Sequence, residues 1–245
     1  MVFGVILAGG TGSRMGNASK PKQYLMLGGK PVIIHTVEKF VMHNEFEEII
    51  VLCPKQWVED TKDLVKKYIP ESQGHVAVLE GGITRNETIM NSITYIEGNY
   101  GLDDSTVIVT HDSVRPFLTY RIIEENIKYG LEYGAVDTVV PATDTIVESL
   151  DGAVASYVPD RRVMYQGQTP QTFNAKKLKG LYLSLNEEEK ETLTDACKIF
   201  VLRGEDVHLV QGETFNIKIT YPYDLRVAES LVQEQAGKKS ASNRM

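Results

Sequence analysis

The order of the apolar runs constrains this chain most. "FGVILA" reads as a buried strand bounded by glycine, "PVIIHTVEKFVMH" has apolar residues at helical spacing, and "EEIIVLCP" is again a buried strand. The alternation continues with a helix in "VEDTKDLVKKYI", a strand in "HVAVLEGG" and a helix in "TRNETIMNSITYIEG". It then passes through a strand in "STVIVTHDSVRPF", a helix in "YRIIEENIKYGLEYG" and a strand in "AVDTVVPA". Such a pattern predicts an α/β fold of Rossmann-like type: a mostly parallel sheet with helices on both faces.

From about Thr143 to Gln168 the pattern breaks. "DTIVESLDGAVASYVPDRRVMYQGQ" carries short alternating stretches around Asp151-Gly152, a hairpin signal. Helical spacing returns at "AKKLKGLYLSL" and "LTDACKIFVLRG". "HLVQGE" and "FNIKIT" read as late strands, and "YPYDLRVAESLVQEQ" as a closing helix with Asp224 near its start. The expected organisation is one domain over residues 1–235 with an inserted β-hairpin arm at about 143–168, then a polar tail over 236–245.

Composition narrows the partners. Lys and Arg number 26 against 33 Asp and Glu, a formal net charge of −7 over 245 residues. A chain that coats nucleic acid is usually basic, so that partner is not expected, although a local basic pocket for a small anion is compatible with this charge. No apolar stretch reaches the length of a membrane span, and the first apolar run lacks the basic flank of a signal peptide. Cys53 and Cys197 lie far apart in apolar surroundings and read as reduced core thiols of a cytoplasmic protein.

In open α/β sheets ligands sit outside the carboxyl ends of the strands. The first such end here is Ala8-Gly9-Gly10-Thr11-Gly12, followed by Arg14, Lys20 and Lys22. Glycines let backbone N–H groups approach a phosphate. The spacing fits neither GxxxxGK[ST] nor GxGxxG, so a P-loop enzyme and a nicotinamide dehydrogenase both lose ground. Arg14 and Lys22 beside the turn suit a polyphosphate whose reacting phosphorus gains charge. Further strand ends carry "EGGITRNET", with Gly81, Gly82 and the donors Arg85, Asn86 and Thr88, and "THDSVRPF", with Asp112 and Arg115 three residues apart. His111 reads as a buried histidine supporting that loop in preference to a general base. Asp112 suits a metal, sugar hydroxyls or a loop cap. Lys218 sits in an otherwise apolar strand, where a lone lysine usually faces solvent.

Taken in order, "LAGGTGSRMG…PKQYL", "GGITRNET", "HDSVRPF", "DTIVES", "TPQTF", "LTDA" and "NIKIT" resemble the cytidylyltransferases that couple CTP to a polyol phosphate, over residues 1 to about 233. Two groups compete. One makes the methylerythritol 4-phosphate adduct of isoprenoid synthesis, the other CDP-ribitol for teichoic acid and related cell-wall polymers. Ser113-Val114, where the methylerythritol enzymes usually have Ala-Ala, and "AVDTVVPATDTIVES", "YQGQTPQTF" and "LTDACKIF" resemble the D-ribitol-5-phosphate cytidylyltransferases more.

The resemblance implies the nucleotide-diphospho-sugar transferase type of fold and a role for each matching residue. Leu7, Ala8, Gly9 and Gly10 would line the CTP site with main-chain groups, and Arg14 and Lys22 would stabilise the transition state. Gly81, Gly82, Arg85, Asn86 and Thr88 would hold cytosine and ribose, with Ser113 close by. Asp112, Arg115, Thr145, Arg161 and Lys218 would hold the polyol phosphate. Ile83 departs from the acidic residue of some relatives. The arm would cross to a second copy, so that Thr145 and Arg161 complete the partner's site in a homodimer. Arg161 and Arg162 would point to opposite faces of a strand. Mg²⁺ would be held mainly by phosphate oxygens and water, with Asp112 as its protein ligand. A phosphate dianion is already a nucleophile, so no general base is required, and the sequence shows no triad or carboxylate pair. Two other readings are another sugar-nucleotide pyrophosphorylase using UTP or GTP, and a catalytically dead nucleotide sensor.

Overall fold

The computed structural model describes residues 1–10 and 20–242, with residues 235–242 as backbone alone. The chain starts with β1 (Val2–Leu7), and a small antiparallel ribbon of β2 (Met26–Leu27) and β3 (Lys30–Pro31) leads into α1 (Val32–Val41). Strand and helix then alternate through β4 (Glu48–Cys53), α2 (Val58–Tyr68), β5 (Val76–Glu80), α3 (Arg85–Tyr100), β6 (Val107–Asp112), α4 (Tyr120–Tyr133) and β7 (Ala135–Pro141). After the arm come β8 (Tyr165–Asn174), α5 (Ala175–Leu183), α6 (Glu187–Glu191), α7 (Cys197–Leu202), β9 (His208–Gln211) and α8 (Pro222–Ser242).

The main sheet has seven strands in the order β5-β4-β1-β6-β8-β7-β9. Every pairing is parallel except those of β8, which runs antiparallel to both β6 and β7. The mostly parallel Rossmann-like architecture therefore stands. Successive residues of a strand face opposite sides, and β1 shows why both sides are covered. Phe3, Val5 and Leu7 join the core beneath α3, α5 and α7, while Ile6 joins the one beneath α1, α2 and α4. Gly4 faces Phe40 of α1, where an added Cβ would lie 2.8 Å from the ring, so glycine sets that close approach. Both cysteines are buried and unbridged.

The structure differs from the sequence reading after Pro141. The arm is not a regular hairpin: a single antiparallel bridge, Glu148 to Tyr157, stands outside the named strands. Its turn is nevertheless at the expected place, where Asp151 Oδ1 accepts the N–H groups of Ala153 and Val154 and Gly152 has a φ of 73°. Arg161 and Arg162 lie in a one-turn 3-10 segment, not a strand, because Asp160 accepts the Arg162 N–H and pairs with its guanidinium. "YQGQTPQTF" is a long central strand despite its proline. "FNIKIT" forms no strand; its groups bond to the loop after β6 instead, with Ile219 N donating to Val114 O at 2.9 Å. The helix in "LTDACKIFVLRG" starts only at Cys197, with Asp195 Oδ1 accepting the Lys198 N–H at its start. α8 continues to Ser242, so the backbone of the polar tail is helical as far as that residue. Among the described residues no helix is long and apolar enough to cross a membrane.

Candidate active site

A cleft of about 280 Å³ opens where β1, β5 and β6 end. Leu7 and Asp112, the last residues of β1 and β6, are register partners, so the parallel pairing itself sets the glycine turn beside the Asp112 loop. Gly9, Gly10 and Lys22 form one wall, Gly82, Arg85 and Thr88 another, and Asp112, Ser113 and Lys218 the floor and far side. Sequence positions spread over most of the chain thus meet in one place. Arg14 lies outside the described residues.

The glycine turn is held by Gln23, which also lines the cleft and to which neither spacing nor resemblance assigns a role. Its Nε2 donates to Ala8 O at 2.7 Å and to Gly10 O at 3.0 Å. Ala8 itself is buried under the turn and does not line the cleft.

The second glycine segment works differently from the expectation. The Gly81 N–H goes to Cys53 O, that of Gly82 to Thr88 Oγ1, and those of Ile83 and Thr84 to Glu87 Oε2. These amides are engaged within the protein, so what the segment offers a ligand is carbonyl oxygen and close backbone approach. Gly82 is required for it, since an added Cβ would meet Glu87 Cβ at 2.4 Å. Thr88 also serves the turn, donating to Thr84 O at 2.8 Å. Thr84 and Glu87 form a reciprocal capping box at the start of α3, a pattern that "TRNE" spells in the sequence. Asn86 is buried away from the cleft lining.

Asp112 is the one acid lining the cleft among the described residues. Lys218 Nζ lies 2.9 Å from its Oδ2, Arg115 Nε 3.3 Å from the same oxygen, and Arg85 Nε 3.8 Å from Oδ1. Burial pushes this carboxyl up, but the charges of Arg85, Lys218 and Arg115 outweigh that and hold it well below the usual carboxylate range. Lys218 is placed by its segment: Arg115 Nη1 donates to Asn216 O at 2.8 Å, so the same guanidinium grips the carboxylate and the strand-like stretch that carries the lysine. His111 is fully buried, shares a hydrogen bond of 2.9 Å with Thr169 Oγ1, and has Nε2 3.1 Å from Arg115 O. Burial pushes its pKa down to about 4, which fits a neutral structural imidazole.

Arg115 and Lys218 also line a second hollow of about 470 Å³ with Thr143, Gln166, Gln168 and Asn216. Lys218 is common to both hollows and Asp112 lies at their junction. Thr145 and Arg161 line neither. Thr145 is exposed, and the exposed Arg161 donates to Thr143 O at 2.8 Å.

Asp112 does not fit a protein-held Mg²⁺. Three cations already face Asp112, and a fourth would meet their repulsion, so the expectation of Asp112 as a metal ligand is not supported by its surroundings. Asp137, Asp195 and Cys197 also come together, and their two acids make a carboxylate pair where the sequence shows none. The amide nitrogen of Gln171 already donates into it, at 3.0, 3.0 and 3.3 Å.

Residues 2–234 match the 2-C-methyl-D-erythritol 4-phosphate cytidylyltransferase (IspD) family. The chain belongs to that family. It is a CTP-using cytidylyltransferase, a nucleotidyltransferase. Solved structures agree over nearly the whole length. The 4-diphosphocytidyl-2C-methyl-D-erythritol synthase of Anaerococcus prevotii is 28% identical with a TM-score of 0.77, covering 95% of this chain and 96% of that one. A second synthase of the same name is 26% identical with a TM-score of 0.75, covering 94% and 98%. The 2-C-methyl-D-erythritol 4-phosphate cytidylyltransferase of Thermus thermophilus is 25% identical with a TM-score of 0.71, covering 95% and 100%. The family matched is thus the methylerythritol one and not the ribitol group that the sequence motifs favour, so the less favoured of the two expected groups is the one supported.

Proposed function

We propose that this cytidylyltransferase binds CTP in the cleft and transfers CMP to an acyclic polyol phosphate held across Asp112, Arg115 and Lys218. The observation that carries this reading is the meeting of the glycine turn, Lys22, Arg85 and the Asp112–Lys218 pair in one cleft at the strand ends. A phosphate oxygen of the polyol attacks the α-phosphorus of CTP. The new O–P bond forms as the bond from that phosphorus to the bridging oxygen breaks, and pyrophosphate leaves. Lys22 neutralises charge that grows on the transferring phosphoryl group, with Arg14 assigned the same role. Leu7, Gly9, Gly10, Gly82 and Ser113 shape the nucleotide side through their backbone.

The arm supports a shared site in a homodimer. Leu150, Val154, Tyr157, Val158 and Val163 are all exposed in the single chain. An arm with so little sheet pairing gains stability by laying such residues on another surface, and a second copy related by a two-fold axis supplies one. Thr145 and Arg161 would then reach the partner's acceptor.

Two acceptors are in view. The family match and the names of the solved relatives support 2-C-methyl-D-erythritol 4-phosphate. D-Ribitol 5-phosphate is the second reading. It is supported by Ser113 and Val114 at the cleft, and by the amides of Gln166, Gln168 and Asn216 in the adjoining hollow, which suit the longer chain with four free hydroxyls and no methyl branch. Turnover of CTP with each acceptor side by side separates them, with kcat/KM expected to differ by about a hundredfold or more. The favoured acceptor decides between the readings, and no turnover with either overturns the proposed function.

A further inference from the structure

Gln171 belongs to the "TPQTF" stretch of β8 and touches neither hollow, yet its side chain is the back support of Arg85. Arg85 Nη2 donates to Gln171 Oε1 at 3.0 Å. Behind it, Gln171 Nε2 faces Asp137 Oδ1 and Asp195 Oδ2, each at 3.0 Å, and Cys197 Sγ at 3.3 Å. The amide has one workable orientation. Turned over, it would set its NH₂ against the guanidinium and its oxygen against two carboxylates, so both ends would repel. Its backbone is equally fixed: β8 lies between β6 and β7, and Gln171 O accepts from Thr110 Oγ1 at 2.9 Å. Gln171 is 2% exposed, so no solvent competes for these bonds.

The consequence falls on the cleft. Arg85 has one edge toward Asp112 and one Nη on Gln171, while its other Nη is buried without a hydrogen bond. A long side chain of this kind holds one rotamer only when something beyond its own pairing partner fixes it. We propose that Gln171 is a positioning residue for nucleotide binding: by bridging the Asp137–Asp195 pair to Arg85 it holds the guanidinium in the orientation the cleft requires. The neutral amide does this without placing a further charge beside Asp112, which a direct carboxylate partner for Arg85 would do. The inference rests on the reading that Arg85 belongs to the CTP cleft.

The test is a double-mutant cycle in the full-length enzyme, read as KM for CTP and kcat at saturating acceptor. Gln171→Met keeps the volume and removes both hydrogen-bonding ends. It is expected to raise KM for CTP by about tenfold with kcat within about threefold, and to have less than about a twofold effect on KM when Arg85 is already Ala. A packing defect unrelated to Arg85 would act equally in both backgrounds. Gln171→Glu is the second variant, should the Met enzyme not fold. Its carboxyl faces Arg85 on one side and Asp137, Asp195 and the Cys197 thiol on the other. It can donate toward the acids as the amide does only when protonated, so its KM relative to wild type is expected to improve from pH 8 to pH 6. An Arg85→Ala enzyme with unchanged KM for CTP overturns the cleft reading and the inference together. An impaired Arg85→Ala enzyme beside an unimpaired Gln171→Met enzyme, full multiplicativity in the cycle, or a Gln171→Glu defect that is the same at both pH values overturns the inference alone.

Discussion

Lys218 Nζ lies 2.9 Å from Asp112 Oδ2, and this pair sits where the cleft proposed for the nucleotide meets the hollow proposed for the acceptor. A carboxylate shared by Lys218, Arg115 and Arg85 gathers three cations at the place where the proposed reading puts the acceptor. Asp112→Asn removes the charge that gathers them. Expected is a loss of about 3 kcal/mol of stability, as for breaking a buried ion pair, together with a large rise in KM for the acceptor. The stability difference has a sign in pH. The native carboxyl is held below its unfolded value of 3.8, so its contribution is present above about pH 4 and is lost as pH falls further. Urea melts of both proteins at pH 7 and in acid check this; equal stability at pH 7 contradicts it.

Lys22 is buried at the cleft wall beside the glycine turn. Lys22→Ala is expected to lower kcat by roughly 10²–10³ while CTP affinity stays within about tenfold, the scale for losing one preorganised charge donor. Steady-state kinetics paired with a binding titration read the two effects separately. Near-wild-type kcat would remove Lys22 from the transition-state role.

The Asp137 carboxyl is pushed up to about 6, first by burial and then by the neighbouring Asp195 charge, against the lowering effect of Gln171 donation. Its folded pKa exceeds the unfolded 3.8, so the native state binds the proton more strongly, and stability is lost as pH rises through about 6. Asp137→Asn keeps an acceptor for Gln171 and has no such loss. Its melting temperature relative to wild type is expected to be more favourable at pH 8 than at pH 4. His111, with its pKa near 4, acts with the opposite sign over the same range but is common to both proteins and cancels in the comparison. A difference that does not change with pH contradicts the assignment.

If Arg161 completes the partner's site, Arg161→Ala and Lys22→Ala are each nearly inactive, and mixing them with subunit exchange restores activity. Random exchange of equal amounts makes half the dimers mixed, each with one intact site, so about a quarter of wild-type activity is expected. Light scattering should first show a dimer. Inactive mixtures of exchanging subunits place Arg161 in its own subunit's chemistry.

Local pattern made the strands and helices through β7 legible, because the central strands are short unbroken apolar runs, the helices between them carry apolar residues at helical spacing, and most are bounded by glycine or proline. It also exposed the strand ends, and with them Gly9, Gly10, Lys22, Gly82, Arg85 and Asp112, while Ser113 came only from the family resemblance. What it could not show was pairing over distance. β8 lies between β6 and β7 with its Phe173 packed in the core against Phe200, yet "YQGQTPQTF" has one apolar aliphatic or phenylalanine side chain besides its proline and carries no strand pattern. "FNIKIT" has the alternation of a strand, but its hydrogen bonds go to the loop at Val114, which no local rule reveals. Gln23, Gln171 and the Asp137–Asp195 pair escaped for the same reason: each is a common polar residue until the fold brings its partners within 3.0 Å.

The most direct measurement is pyrophosphate release by the purified protein with Mg²⁺, one nucleoside triphosphate at a time, and methylerythritol 4-phosphate or ribitol 5-phosphate as acceptor, with the nucleotide product identified by mass. Release is expected with CTP and an acceptor together, with one CDP-polyol formed per pyrophosphate and little or no product from UTP, GTP or ATP. Equal turnover of another triphosphate, or no turnover of CTP with either acceptor, would contradict the assignment of this cleft to cytidylyl transfer.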